Sequence, residues 1–260
     1  MAFDAHARTP TPEAFAPERG PGIEALTRAA TLEARYGRLE PEEIIRVAAD
    51  HFGDGLAAVS SFGSDSAVLL HMVARIDASM PIVFLDTGKH FGETLDYRDA
   101  LVADLGLKNL EIVHPLPDAL AATDPDGTLH QRSTDACCDV RKVEPMARGV
   151  APYDAWLTGR KRFQASTRNA LAAFEAVGRR VRINPLAAWG TAELASYMRA
   201  HDLRENPLVA YGYLSIGCFP CTQPVSPGED ARSGRWAGQA KTECGIHLTG
   251  LDQSLDSSGL

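Results

Sequence analysis

The chain has 260 residues, 45% of them hydrophobic and 23% charged, enough to bury a full core. A formal net charge of −8 disfavours broad, nonspecific nucleic-acid binding. No apolar run approaches the ~20 residues a membrane helix needs, and five cysteines without a signal-type leader disfavour a disulfide scaffold.

Residues 1–22, rich in proline and alanine, read as a loose arm, and the lack of a targeting signal points to the cytoplasm. Helical spacing follows over Ile23–Tyr36 and Pro41–Phe52, the second opened by a first-turn proline and by Glu42 and Glu43. The apolar run Leu56–Val59 gives way to Ser60-Ser-Phe-Gly-Ser-Asp-Ser66, after which Ala67, Leu70, Val73 and Ala74 keep helical spacing. Ile82–Leu85 and Leu110–Val113 read as strands around a helix at Thr94–Leu105. Ala155–Thr158 and Arg180–Ile183 are further strands, and Ala192–His201 a further helix. Such alternation predicts an α/β fold, a mainly parallel sheet with helices on both faces. From Ser226 the chain is rich in Gly, Ser and charge and reads as an extended, partly mobile tail. The expected division is an arm at 1–22, an α/β domain at 23–225 and a tail at 226–260.

Three loops follow predicted strands, where open parallel sheets bind ligands. In the first, Gly63 permits a tight turn, Ser60, Ser61, Ser64 and Ser66 offer hydroxyls, and a helix N-terminus favours an anion. Lacking Gly-Lys-Ser/Thr, it is not a Walker loop; taken alone it is equally an ordinary strand–helix turn. The second, Asp86-Thr-Gly-Lys-His-Phe-Gly92, follows the neighbouring strand and turns the two loops into one crevice. The third, Gly159 to Arg168, crowds Arg160, Lys161, Arg162 and Arg168 into one segment of an acidic chain. A solvated charge run is the plain reading, but at a strand end these forks suit phosphate or sulfate.

The cysteines divide as four plus one. Cys137 and Cys138 are adjacent, Cys218 and Cys221 form C-x-x-C, and Cys244 stands alone. Adjacent side chains on a helix diverge by about 100°, so a centre held by Cys137 and Cys138 requires a helix end or a distortion. Four thiolates suit zinc or an iron–sulfur cluster equally well on spacing alone, with Lys142 close by. Cys244 lies near Arg232, Arg235, Lys241 and His247, cations able to hold a thiolate, while Glu243 opposes them. Read by itself it is an inert tail cysteine; Trp236 and the crevice make a closing, nucleophilic tail the sharper reading.

These residues together resemble the assimilatory sulfonucleotide reductases, specifically the cluster-containing adenylyl-sulfate (APS) reductases. The resemblance runs from about Ile44 to Leu248. It rests on Ser60-Ser-Phe-Gly63, the segment Phe84 to Thr94, Cys137-Cys138 with Arg141-Lys-Val-Glu-Pro145, Cys218-x-x-Cys221, and Glu243-Cys-Gly-Ile-His247. It implies an adenine-nucleotide α-hydrolase-like fold, related to PP-loop ATP pyrophosphatases, and a [4Fe–4S] cluster on Cys137, Cys138, Cys218 and Cys221. It further implies a catalytic Cys244 that accepts the sulfonate of APS and releases AMP, with an external thioredoxin freeing sulfite, in sulfate assimilation and cysteine biosynthesis. Lys142, Arg232, Arg235 and His247 are then the expected cations at the reacting sulfur. Ser60, Ser61, Phe62, Gly63, Leu85, Asp86, Thr87, Gly159, Arg160 and Arg168 are the expected nucleotide contacts. One departure is Ala165, where relatives carry a serine. Because reductases of the 3′-phosphorylated substrate (PAPS) generally lack the cluster cysteines, APS is the expected substrate; PAPS or dual specificity is the alternative. A cluster-containing ATP-dependent tRNA thiolase and a non-enzymatic redox sensor are the more distant rivals. A homo-oligomer is compatible with the sequence.

Overall fold

Apolar side chains on both faces of the central strands Leu56–Val59, Ile82–Leu85 and Ala155–Thr158 set this architecture, because such strands need cover on two sides. A computed structural model describes residues 22–226, 228–236, 241 and 244–247, of which His247 is described by its backbone only. The sheet is built from β1 (Leu56–Val59), β2 (Ile82–Leu85), β3 (Leu110–Val113), β4 (Ala155–Thr158), β5 (Phe174–Val177) and β6 (Arg180–Ile183) in the order β3-β2-β1-β4-β6-β5. All pairings are parallel except β5 with β6. Its helices are α1 (Ile23–Tyr36), α2 (Pro41–Phe52), α3 (Ser66–Asp77), α4 (Gly92–Leu105), α5 (Pro117–Thr123), α6 (Leu129–Arg132), α7 (Thr134–Cys138), α8 (Glu144–Gly149) and α9 (Thr191–Ala200).

On one face Ala58, Phe84, Leu157 and Ile183 pack against Ile45 of α2, Leu70 of α3, Leu101 of α4 and Leu194 of α9. On the other, Ala57, Val83 and Trp156 pack against Met146 of α8 with Val150 and Tyr153. Among the described residues no helix is long and apolar enough to cross a membrane.

The strands predicted at Leu56, Ile82, Leu110, Ala155 and Arg180 fall on the expected residues, whereas α4 begins two residues before Thr94 and α9 one before Ala192. The sequence reading omitted β5. It pairs antiparallel with β6 across the two-residue turn Gly178-Arg179, where Gly178 sits at φ 55°, a conformation glycine adopts without a Cβ penalty. Residues 117–149 carry four short helices of which only the stretch after Cys137 was expected. The tail differs from the extended segment expected of it: Trp236 and Cys244 are 3% and 5% exposed. The predicted arm lies outside the described residues except for Gly22, as do residues 248–260.

The strand order reverses at β1. Successive strands run from β1 outward to β3, and β4 then returns to the other side of β1. Loops leaving β1 and β4 therefore flank the switch point at which open α/β sheets form a ligand crevice.

Candidate active site

In the loop after β1, the Ser60 hydroxyl accepts the Phe62 N–H at 3.2 Å, and buried Asn206 donates from Nδ2 to the Phe62 carbonyl at 3.1 Å. These bonds hold Phe62 at φ 50°, a costly backbone state for a bulky residue. Its ring is fully buried, edge-on to Phe84 with centroids 5.5 Å apart. The expectation that Phe62 contacts nucleotide is thereby limited to its backbone. Ser64 donates to the Leu214 carbonyl at 3.0 Å, Gly63 lies within 3.9 Å of the Ile216 carbonyl as measured from an added Cβ, and Ser61 remains exposed.

The loop after β2 begins beside buried Leu85, and Asp86 accepts the Gly88 N–H at 2.9 Å. Thr87, expected at the nucleotide, is fully buried and places its hydroxyl 3.4 Å from Cys218 Sγ. That side chain belongs to the thiol end of the crevice.

The cations of the loop after β4 are mostly engaged inside the protein. Following Gly159, Arg160 donates to Glu175 Oε2 at 2.7 Å, and the same oxygen accepts Arg182 Nε at 3.1 Å and Asn184 Nδ2 at 2.8 Å. The ammonium of Lys161 pairs with Asp65, and Arg162 donates to the Leu171 carbonyl at 2.9 Å. Gln164 Oε1 accepts both the Lys161 N–H at 3.1 Å and Arg168 Nη1 at 2.5 Å. Arg160, expected at the phosphate, is held by Glu175 through Nη1, while its buried Nε has no hydrogen-bond partner among the described residues.

The thiols converge from two distant segments. The Ser133 hydroxyl caps α7 by accepting the Ala136 N–H at 3.2 Å, α7 ends at Cys138, and Asp139–Val143 then forms a π-helical turn. The cysteine pair therefore lies at a helix end, directly before a widened turn. Cys218 leads into a short 3₁₀ turn at Phe219–Cys221, shaped by Pro220. Cys137, Cys138, Cys218 and Cys221 line one cavity together with Lys89, Lys142, Arg235 and Trp236. Among the described residues no group of three or more His, Cys, Asp or Glu side chains is arranged to hold a metal ion directly. The four thiols surround a space and do not meet at a point.

Cys244 packs on Cys138, Cys221 and Trp236. Its pKa lies well below the usual thiol value: the Cys138 thiol donates to it, and Lys142, the Ile246 N–H and Arg235 add to that against the opposing effect of burial. Cys138 is raised in return. Burial acts to depress the Lys142 ammonium, but the sulfurs of Cys218 and Cys244 outweigh it and leave the ammonium raised. Arg235 donates to the Ile216 carbonyl at 3.3 Å, and Arg232 lies 6.0 Å from the Trp236 ring. The side chain of His247 lies outside the described residues.

Sequence reasoning missed the residues that tie this end together. Arg141 donates to Asp124 Oδ2 at 3.0 and 2.6 Å and to the Thr87 carbonyl at 2.7 Å. Lys89 donates to the Gly127 carbonyl at 2.6 Å, and its own carbonyl accepts the Phe219 N–H at 2.8 Å. Both basic residues stood inside recognised motifs, but no spacing rule shows which partner a long side chain will reach.

A parallel sheet with a crevice at its switch point and a thiol-lined cavity beside it defines a nucleotide-binding α/β protein with a sulfur centre. Residues 55–224 match the family model described as the phosphoadenosine phosphosulfate reductase domain. The adenosine 5′-phosphosulfate reductase of Mesorhizobium japonicum is 72% identical over 234 residues, covering 90% of this chain and 92% of that protein. The crystal structure of phosphoadenylyl-sulfate (PAPS) reductase from Candida auris, a phosphate complex, superposes with a TM-score of 0.64 at 27% identity, covering 76% of this chain and 97% of that one. Candida glabrata FMN adenylyltransferase shares the fold with a TM-score of 0.52 at 15% identity, over 77% of this chain and 72% of its own. The chain belongs to the phosphoadenosine phosphosulfate reductase domain family.

Burial raises the Asp124 carboxyl, but the Leu129 N–H and Arg141 more than offset this and leave it below the usual carboxylate range. With a folded-state pKa under the unfolded value of about 3.9, the carboxylate stabilises the fold above pH ~4, and that contribution disappears as pH falls through the lowered folded value. Asp124→Asn should therefore cost about 3 kcal/mol at pH 7 and flatten the loss of stability below pH ~4. Urea midpoints across pH check this; an unchanged acid limb would assign the dependence to other carboxylates.

Proposed function

We propose that this protein is an oxidoreductase that reduces adenosine 5′-phosphosulfate to sulfite and AMP in sulfate assimilation and cysteine biosynthesis, acting in the cytoplasm with a thioredoxin as electron donor. The observation that carries the reading is the placement of Cys244, a buried thiol packed on Cys138, Cys221 and Trp236 at the edge of a cavity lined by Lys142 and Arg235. The likeness to a protein named adenosine 5′-phosphosulfate reductase supports the choice of substrate.

The Cys244 thiolate attacks the sulfuryl sulfur, an S–S bond forms, the S–O bond to phosphate breaks, and AMP departs. A thioredoxin thiolate then attacks Cys244 Sγ and releases sulfite, and the second thioredoxin thiol resolves the mixed disulfide. Two electrons pass from the dithiol to sulfur. Lys142, Arg232, Arg235 and His247 offset the repulsion between thiolate and sulfate, each worth ~2–4 kcal/mol if they act as oxyanion donors do. Nucleotide lies in the crevice of Ser60, Ser61, Gly63, Leu85 and Asp86, with Gly159 and Arg168 toward the phosphate. The unit carrying this chemistry is the α/β domain of residues 23–225, with the segment from 226 onward delivering Cys244.

A [4Fe–4S] cluster fits the donor set: four soft thiols around a space, a hydroxyl on Cys218, and the Lys142 ammonium balancing thiolate charge. Cys137, Cys138, Cys218 and Cys221 would hold it. When bound, it supplies a structural staple and an electrostatic anchor for Lys142.

Cys244→Ser should abolish sulfite formation while adenosine 5′-phosphosulfate still binds, and mass spectrometry without thioredoxin should find a sulfonate on Cys244 of the unaltered protein. Sulfite from the variant, or no adduct, would rule out this nucleophile. The purified protein should contain iron and acid-labile sulfide; stoichiometric zinc would end the cluster assignment. Because the matched family is described by the 3′-phosphorylated nucleotide, that substrate is the second reading. In direct competition at equal, low concentrations the unphosphorylated nucleotide should be consumed first, and preference for the other would reverse the assignment.

A further inference from the structure

The tail meets the C-x-x-C loop at Trp236. The Trp236 N–H donates to the Cys221 carbonyl at 3.0 Å, Arg235 bridges antiparallel to Thr222, and the Gln223 N–H donates to the Gly234 carbonyl at 2.8 Å. Trp236 itself sits at φ 51°, a left-handed backbone that a bulky residue keeps only where its surroundings compel it. It is 3% exposed and packs on Cys138, Cys221 and Cys244.

Three cations surround its indole. Arg235 lies 4.5 Å from the ring centroid, Lys241 5.7 Å and Arg232 6.0 Å. Lys241 also pairs with Asp135. Among the described residues the Arg235 guanidinium donates to the Ile216 carbonyl at 3.3 Å, and its buried Nε has no hydrogen-bond partner. Among the described residues no carboxylate lies within ion-pair distance of Arg235. The space that lets its guanidinium lie there is provided by Gly217, where an added Cβ would stand 2.4 Å from Arg235 Nη2. Like charges gathered this closely repel one another, and the negative face of the indole is the attractive surface they share. An aliphatic side chain of similar volume would fill the space and supply no such attraction.

We infer that Trp236 is a positioning residue whose ring gathers Arg232, Arg235 and Lys241 into a cationic collar over the thiol cavity, a collar that receives the sulfate end of the anionic nucleotide. The ligand assignment rests on the reductase reading, whereas the collar itself rests on the ring and its three cations.

The test places 5-fluoro-, 5,7-difluoro- and 5,6,7-trifluorotryptophan at position 236 alone, in the full-length, iron-loaded Cys244→Ser protein. Each fluorine makes the ring face less negative while its shape is nearly kept. Affinity for adenosine 5′-phosphosulfate, measured by calorimetry, should fall stepwise by about tenfold across the series. Trp236→Leu should reach or pass that end, and Trp236→Phe should stay within about threefold of the parent. A flat series, or Phe and Leu variants equally weakened, would overturn the proposal by reducing the ring to filler. Thermal unfolding of the same series without nucleotide separates the two readings. A stepwise fall in Tm supports the collar, and a level Tm refutes it. An unaltered protein that yields no sulfite refutes the reductase assignment, and the Tm series then still decides whether the collar exists.

Discussion

Arg141 is the tie on which the thiol cavity depends. Its guanidinium spans Asp124 at the end of α5 and the carbonyl of Thr87 after β2, while its own backbone lies in the π turn that follows Cys138. Both charges are buried, at 8% and 4% exposure, so neither is satisfied by water, and removing either would strand the other. The same loop after β2 reaches the second cysteine pair: Thr87 contacts Cys218, and the Lys89 carbonyl accepts the Phe219 N–H. One loop therefore registers both halves of a sulfur centre whose cysteines lie far apart in the chain. The thiol cavity inherits its position from the carboxyl end of β2.

An acidic chain with a basic loop invites the idea that the loop is there for an anion, and the structure divides that idea. Glu175 takes Arg160 and Arg182, Asp65 takes Lys161, and a backbone carbonyl takes Arg162. These cations set the shape of the loop, and their charge is largely spent on the protein. The cations at the thiol cavity are arranged differently. Lys142 faces sulfur, and Arg235 faces an aromatic ring, a partner that leaves its positive potential in place for an incoming anion.

Much of this was legible in the sequence for physical reasons. Strands buried on both faces read as short apolar runs, so β1, β2 and β4 were visible, while β3 and β6 showed through their β-branched residues; β5, with Glu175 directed to a buried arginine pair, carries no such signal. Two adjacent cysteines facing one centre called for a helix end or a distortion, and the pair stands where α7 ends and a π turn begins. What spacing could not supply was direction. Thr87 and Phe62 lie in ligand-type loops, but one turns to Cys218 and the other into the core, because a loop buried on one side must direct some side chains inward. Asp124 and Arg141 are a contact between distant chain segments, which no local pattern records.

The contact between Cys138 and Cys244 explains why so many cations are needed. The thiol proton that Cys138 donates exists only while Cys138 is a free thiol. A metal would claim that sulfur as a thiolate, and Cys244 would then lose its donor and gain an anionic neighbour. What remains to hold charge on Cys244 is Lys142, Arg235 and the Ile246 N–H. For Cys244 to act as the proposed nucleophile beside a thiolate-rich centre, a dense, fixed set of positive groups would have to be in place before any substrate arrives. In the proposed reaction the same groups would meet the sulfate oxygens, and as the Cys244–sulfur bond formed, negative charge would pass toward the departing phosphate. A cationic set organised for the resting thiolate is already organised for the reaction, which is the condition under which electrostatic stabilisation costs no rearrangement at the moment of bond making.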